Sequence, residues 1–166
     1  MKKLMLALAL TLLMCSSVFA MGQECFNAKG SLLVANVHGS SFASNSNHNT
    51  ALTVSNITNK AVTCRVTVYD QNGDDISSKG NAYTTGNNAN LIKVSAGGTF
   101  EIPANSTRIY VIKNSNTTRF AGYGVIEWTS DDAKLRKALI AGMYTFFVGG
   151  SEKFTWGSQL NNGQPF

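Results

Sequence analysis

NTALTVSNITNKAVTCRVTVYDQNGDD, residues 49–75, alternates apolar and polar side chains for almost two strand lengths around a single cysteine. Successive side chains of a strand point to opposite faces, so a period of two marks a ribbon with one dry and one wet side. Leu52, Val54 and Asn56 share one face of a first strand. Val62, Cys64, Val66 and Val68 share one face of a second, with Thr63, Arg65, Thr67 and Tyr69 on the other. Thr58-Asn59-Lys60 lacks the β-propensity of its flanks and is expected to turn the two strands into an antiparallel hairpin. Asn72-Gly73 then supplies the turn chemistry that stops the second strand.

The same period recurs on both sides of this ribbon. Short strands are expected over residues 31–37, 91–94, 99–102, 107–113, 120–129, 138–148 and 153–156. HGSSFASNSNHN (38–49) is rich in Ser and Asn, whose side chains compete for backbone hydrogen bonds, and it is expected to be loop. The Gly/Asn-rich stretch 77–90 is expected to be a long surface loop, and the tail after Trp156 is expected to fray. Ser130-Asp131-Asp132 reads as a turn rather than a helix start, because β-branched and aromatic residues crowd the segment that follows. Six to eight short strands with hardly any helix predict an all-β fold, a single-domain immunoglobulin-like antiparallel β-sandwich.

The ends say where such a chain goes. MKKLMLALALTLLMCSSVFA has a basic start at Lys2 and Lys3, an apolar run from Leu4 to Met14, and small residues at Val18 and Ala20 where a signal peptidase reads. Residues 1–20 are therefore expected to be a cleaved signal peptide and 21–166 the β-sandwich domain. The run is shorter than the roughly 20 residues that span a bilayer, so the protein is expected not to be membrane-spanning. Cys15 closes the run, but Met14 before it is bulkier than the small residue a lipoprotein signal carries. The short Lys-Lys signal suggests a Gram-negative-type bacterium and a periplasmic or secreted product. Cys25 and Cys64 remain in a chain bound for an oxidising compartment and are expected to pair. Closing that loop would stabilise the fold by about 4 kcal/mol in the chain-entropy picture.

Few groups are equipped for chemistry. The formal charge of +5 falls to +3 without Lys2 and Lys3, and no basic stripe interleaves with aromatics, so nucleic acid is not an expected partner. His38 and His48 are the only imidazoles, both in the expected loop, and no G-x-S-x-G elbow is present. The nine acids pair only as Asp74-Asp75 and Asp131-Asp132, and neighbours on a strand face opposite ways. Asp70-x-Asn72-x-Asp74 begins like a calcium loop, but Asp75 stands where the sharp turn needs Gly and Asn81 where a bidentate Glu is needed. No catalytic residue, metal ligand or cofactor is expected, and the protein is read as no enzyme. The aromatic residues are the remaining candidates, since flat rings bury much area while losing few rotamers. Trp156, between Gly-rich segments near the terminus, is the ring least easily explained by packing and is the candidate ligand contact.

TALTVSNITNKAVTCRVTVYDQNG, FEIPANSTRIYVI, GYGVIEW and ALIAGMYTF together make residues 49–147 resemble the β-sandwich module of the sensory rhodopsin transducer family and its secreted relatives. In that family a strand ending in Asn and a short turn lead into a strand closing on Tyr-Asp-x-x-Gly, and a Pro-containing turn precedes a third. The resemblance implies a β-sandwich and transfers no functional residue. The signal segment and cysteine pair depart from it, so cytoplasmic signalling beside a photoreceptor is not implied. The chain also resembles chaperone-assembled pilus subunits in size, export and cysteine spacing, but lacks their alternating C-terminal strand. The expected function is that of a binding or adhesion module at the bacterial envelope, its partner a protein or glycan. The alternative is a structural, pilus-like subunit that forms a homo-oligomer by strand-edge pairing.

Overall fold

The computed structural model describes residues 26–43, 46–86, 90–112, 119–149 and 151–166; the expected signal segment, Cys25 and the polar stretch 113–118 lie outside them. Ten strands are present among the described residues: β1 (Gly30–Ala43), β2 (Ser46–Asn56), β3 (Val62–Tyr69), β4 (Gly80–Thr85), β5 (Leu91–Ala96), β6 (Thr99–Ile102), β7 (Thr107–Ile112), β8 (Phe120–Thr129), β9 (Leu139–Gly149) and β10 (Glu152–Gln159). All pairings are antiparallel, in the order β5-β4-β7-β2-β1-β8-β3-β6, with β9 added to β2 and β10 to β9. The chain is all-β as expected, and its sheet curls nearly into a barrel. No helix among the described residues is long and apolar enough to cross a membrane.

β2 is the hub. β9 follows one of its edges from Ser46 to Asn56, while the other edge pairs first with β1 and then, from Ala51, with β7. β3 repeats the period of two seen in the sequence: Val62, Cys64, Val66 and Val68 are buried, and the residues between them are half-buried. They join Leu52, Val54, Tyr110, Ile126 and Trp128 in one core.

Several expectations are corrected. β2 and β3 do not pair: β3 lies between β8 and β6, and Thr58-Asn59-Lys60 carries the chain across the sheet. The reason is Asn56, which is 2% exposed. Its Nδ2 donates to the carbonyls of Lys60 (2.7 Å), Ile102 (3.1 Å) and Pro103 (3.0 Å). Its Oδ1 accepts from the Thr58 N–H (3.0 Å) and hydroxyl (2.8 Å). A buried amide so satisfied fixes the exit of β2 towards the β6–β7 turn, where a hairpin turn would have led it back along itself.

Residues 38–49 are not loop, because β1 and β2 extend through most of them and pair as a hairpin. Among its described residues, stretch 77–90 holds a 3-10 turn, Ser77–Lys79, and then β4, which pairs with β5 and β7. Ladder hydrogen bonds override weak local preference in both places. The C-terminus does not fray: the Phe166 N–H donates to Leu139 O (3.0 Å), and Phe166 O accepts from Ala138 N (3.0 Å) and Trp128 Nε1 (2.8 Å). Asp70 Oδ1 caps its own turn, accepting from Asn72 N (2.8 Å) and Asp74 N (3.1 Å). It therefore acts as turn chemistry, as the failed calcium pattern implied.

Candidate functional site

Two surfaces gather side chains that the core does not use. The first lies on the outer side of the β4-β7-β2-β9 run. Leu52 and Val54 point into the core, so Ala51 points out, and its registered neighbours Val111 and Tyr144 point out with it. With Tyr83 from β4, Ala51 and Val111 form a second apolar cluster, against which Ile109, Tyr144 and Phe146 pack. Beside this cluster runs a groove of about 470 Å³, lined by Asn47, Asn49, Tyr83, Leu91, Tyr144 and Phe146. The Tyr144 and Phe146 rings lie 6.1 Å apart, centre to centre, tilted by 40°. Asn49 is buried, and its Oδ1 accepts no hydrogen bond among the described residues. An orphaned carboxamide oxygen costs stability unless something completes it. Burial raises the Tyr144 phenol above its ordinary value, so it stays a hydrogen-bond donor at neutral pH.

The second surface brings together the two histidines and Trp156. In β1 the register against β8 slips by one residue between Val34 and Val37, and Asn36 there takes a positive φ of 59°. A bulge of this kind inserts one unpaired residue and reverses the facing of everything beyond it. Val34 and Val37 are both buried as a result, and half-buried His38 takes the opposite face of β1. Ser40 is registered with His48 on β2, so His38 is diagonal to His48 on the same face. Their Nε2 atoms are 3.4 Å apart. His38 Nδ1 lies 3.1 Å from Asn36 O, the carbonyl of the bulge itself.

Trp156 on β10 reaches back over Thr145, its registered neighbour on β9, to place its ring 5.1 Å from His48. Phe147 meets His48 edge-on at 6.3 Å. Burial, and then the charge His38 can carry, hold His48 below the ordinary imidazole value. The sequence singled out Trp156 and assigned the histidines to a loop; the structure puts all three on strands, β10, β1 and β2, and brings them together across β9. No group of three or more His, Cys, Asp or Glu able to hold a metal is found among the described residues.

Neither a protein-family model nor a curated protein matches the chain. Among solved structures, "Crystal Structure of Thermotoga maritima 1070" aligns over 83% of this chain and 99% of its own, with 9% identity and a TM-score of 0.49. A likeness of that degree carries no functional assignment.

The cysteine expected to pair is seen from one side. Cys64 is fully buried in β3, and burial, then the charge of Glu127, push its thiol well above the ordinary value. Its sulfur is unbridged in this structure. Phe26, the residue after Cys25, lies with its ring 4.4 Å from the guanidinium of Arg65, the residue after Cys64. Arg65 in turn donates to Glu127 through Nε (3.0 Å) and Nη2 (2.7 Å).

Proposed function

We propose that the protein is an exported, non-enzymatic binding module of the bacterial envelope whose outer groove takes a glycan. The observation that carries this reading is the groove's mixture of half-buried rings, Tyr144 and Phe146, with a buried, unpartnered carboxamide oxygen at Asn49. A sugar ring has an apolar face that stacks on an aromatic ring and hydroxyls that donate to an amide oxygen, so it matches both features at once. The expected two-sheet immunoglobulin-like arrangement belongs to the same proposal and is supported by β2 exchanging β1 for β7 along one edge. Titration calorimetry against a panel of bacterial cell-surface oligosaccharides tests the reading. Tyr144→Ala and Asn49→Leu are each expected to weaken binding about tenfold or more, as loss of a central contact does. Unchanged affinity in both variants would remove the groove from consideration.

A second reading, assembly through a strand edge, is favoured by β5. It ends the sheet order, and Leu91, Ile92 and Val94 on it are 47%, 53% and 44% exposed. Exposed apolar residues on an edge strand can template pairing with another chain. Native mass measurement separates the two readings: a monomer supports the binding module, and a ladder of multimers supports assembly.

The Cys25–Cys64 bridge is also part of the proposal, supported by the contact between Phe26 and Arg65. In protein taken from an oxidising compartment and denatured, alkylation is expected to label neither cysteine before reduction and both afterwards. Labelling without reduction would dispose of the bridge.

A further inference from the structure

We propose that His38 and His48 form a binding site for a divalent transition-metal cation of the zinc, copper or nickel class, independent of the glycan groove. Three observations converge on it.

The first is aim. The β1–β2 register, with Ser40 opposite His48, sets His38 diagonal to His48 on one face of the hairpin, and the extra residue at Asn36 puts His38 on the face of β1 opposite Val34 and Val37. Bulges that redirect one side chain recur beside functional sites.

The second is the tautomer. With Nδ1–H donating to the Asn36 carbonyl, the lone pair of His38 sits on Nε2, the atom that faces His48. A metal-binding histidine characteristically ties its other ring nitrogen to a carbonyl in this way.

The third is spacing. Two nitrogens about 2.0–2.1 Å from a tetrahedral ion lie about 3.4 Å from each other. That equals the Nε2–Nε2 separation observed. In the metal-free protein the same contact is a long N–H···N bond, with His48 donating. Binding an ion moves the His48 proton from Nε2 to Nδ1 through solvent and replaces that weak bond with two coordinate bonds.

Two imidazoles favour borderline ions over magnesium or calcium, which prefer oxygen. The remaining positions fall to water or an external ligand, because no third His, Cys, Asp or Glu joins the cluster among the described residues. His38 also borders an open depression of about 440 Å³ that Ser40, Gln71 and Arg119 line.

Trp156 provides the readout. It stands 5.1 Å from His48 and is 48% exposed, whereas the other tryptophan, Trp128, is fully buried. The untagged mature protein, stripped with chelator, is titrated with Zn²⁺ by calorimetry and with Cu²⁺ by tryptophan fluorescence. One ion per chain is expected, with micromolar affinity and quenching of the Trp156 emission. His38→Gln and His48→Gln are each expected to weaken binding about tenfold or more. Trp156→Phe is expected to keep the affinity and lose most of the quenching. The ring proton resonances of both histidines in the unaltered protein are expected to move with the same titration, a readout that does not depend on any variant folding. Absence of binding at micromolar metal, still histidine resonances, or undiminished affinity in the double variant would overturn the site.

Discussion

Asn56→Ala is expected to destabilise the protein by about 3 kcal/mol, because truncating one side chain leaves several buried polar groups without partners. The lost partners are specific. The carbonyls of Lys60, Ile102 and Pro103 lose the same donor, and the Thr58 N–H and hydroxyl lose the same acceptor. Water has poor access, since Asn56 is 2% exposed. Denaturant unfolding monitored by circular dichroism checks the value, and a midpoint within error of the unaltered protein would show that the amide does not hold the crossover.

Asn56→Asp separates donation from acceptance. The carboxylate keeps an oxygen for Thr58 but faces three carbonyl oxygens with no hydrogen to give, so burial raises its pKa above the unfolded value of about 3.9. The native state of that variant then binds the proton more tightly than the unfolded state. Its stability is expected to fall as pH rises from that value through the raised pKa, and Asn56→Ala is expected to show no such fall.

Asn56 also marks the boundary between what the sequence discloses and what it withholds. The alternation of Val62, Cys64, Val66 and Val68 is a local property of the backbone, and their burial in β3 follows it residue for residue. Partner choice is not local. β2 and β3 are consecutive and both amphipathic, which reads as a hairpin, yet the bonds from Asn56 to Ile102 and Pro103 draw on residues more than forty positions away. β4 and the far half of β1 were hidden for a different reason: their Gly, Ser and Asn residues favour turns in isolation, and only pairing with β7, β8 or β2 makes them strands. Tyr83 and Asn49 in the groove went unnoticed with them.

The histidine pair was hidden because its hairpin was. His38 and His48 are ten positions apart in a polar stretch, a spacing with no meaning in a loop. The register of β1 against β2 makes them meet. Trp156 was legible as a ring without an obvious place in the core. Its neighbour was not, because β10 reaches His48 only across the whole width of β9.

Trp128→Ala is expected to cost about 4 kcal/mol, the largest single loss in the molecule, since a fully buried indole leaves a cavity that a rigid sheet cannot collapse. The ring sits where three parts of the chain converge. Trp128 is registered with Cys64 on β3 and with Gly30 on β1, and its Nε1 donates to Phe166 O. A Cβ at Gly30 would run into that same nitrogen, so the indole occupies the space a side chain on β1 would need. Phe166 O accepts from Ala138 and Leu139 as well, which ties the last residue to the start of β9. Removing the indole therefore empties part of the core and loosens the strap that closes it. Trp128→Phe keeps most of the volume and loses the hydrogen bond, and it is expected to cost about 1–2 kcal/mol. The two variants together distinguish packing from anchoring. If anchoring contributes, amide exchange at Leu139 and Phe166 accelerates in Trp128→Phe beyond the global loss of stability; if only packing matters, exchange there follows the global change and the strap has no independent role.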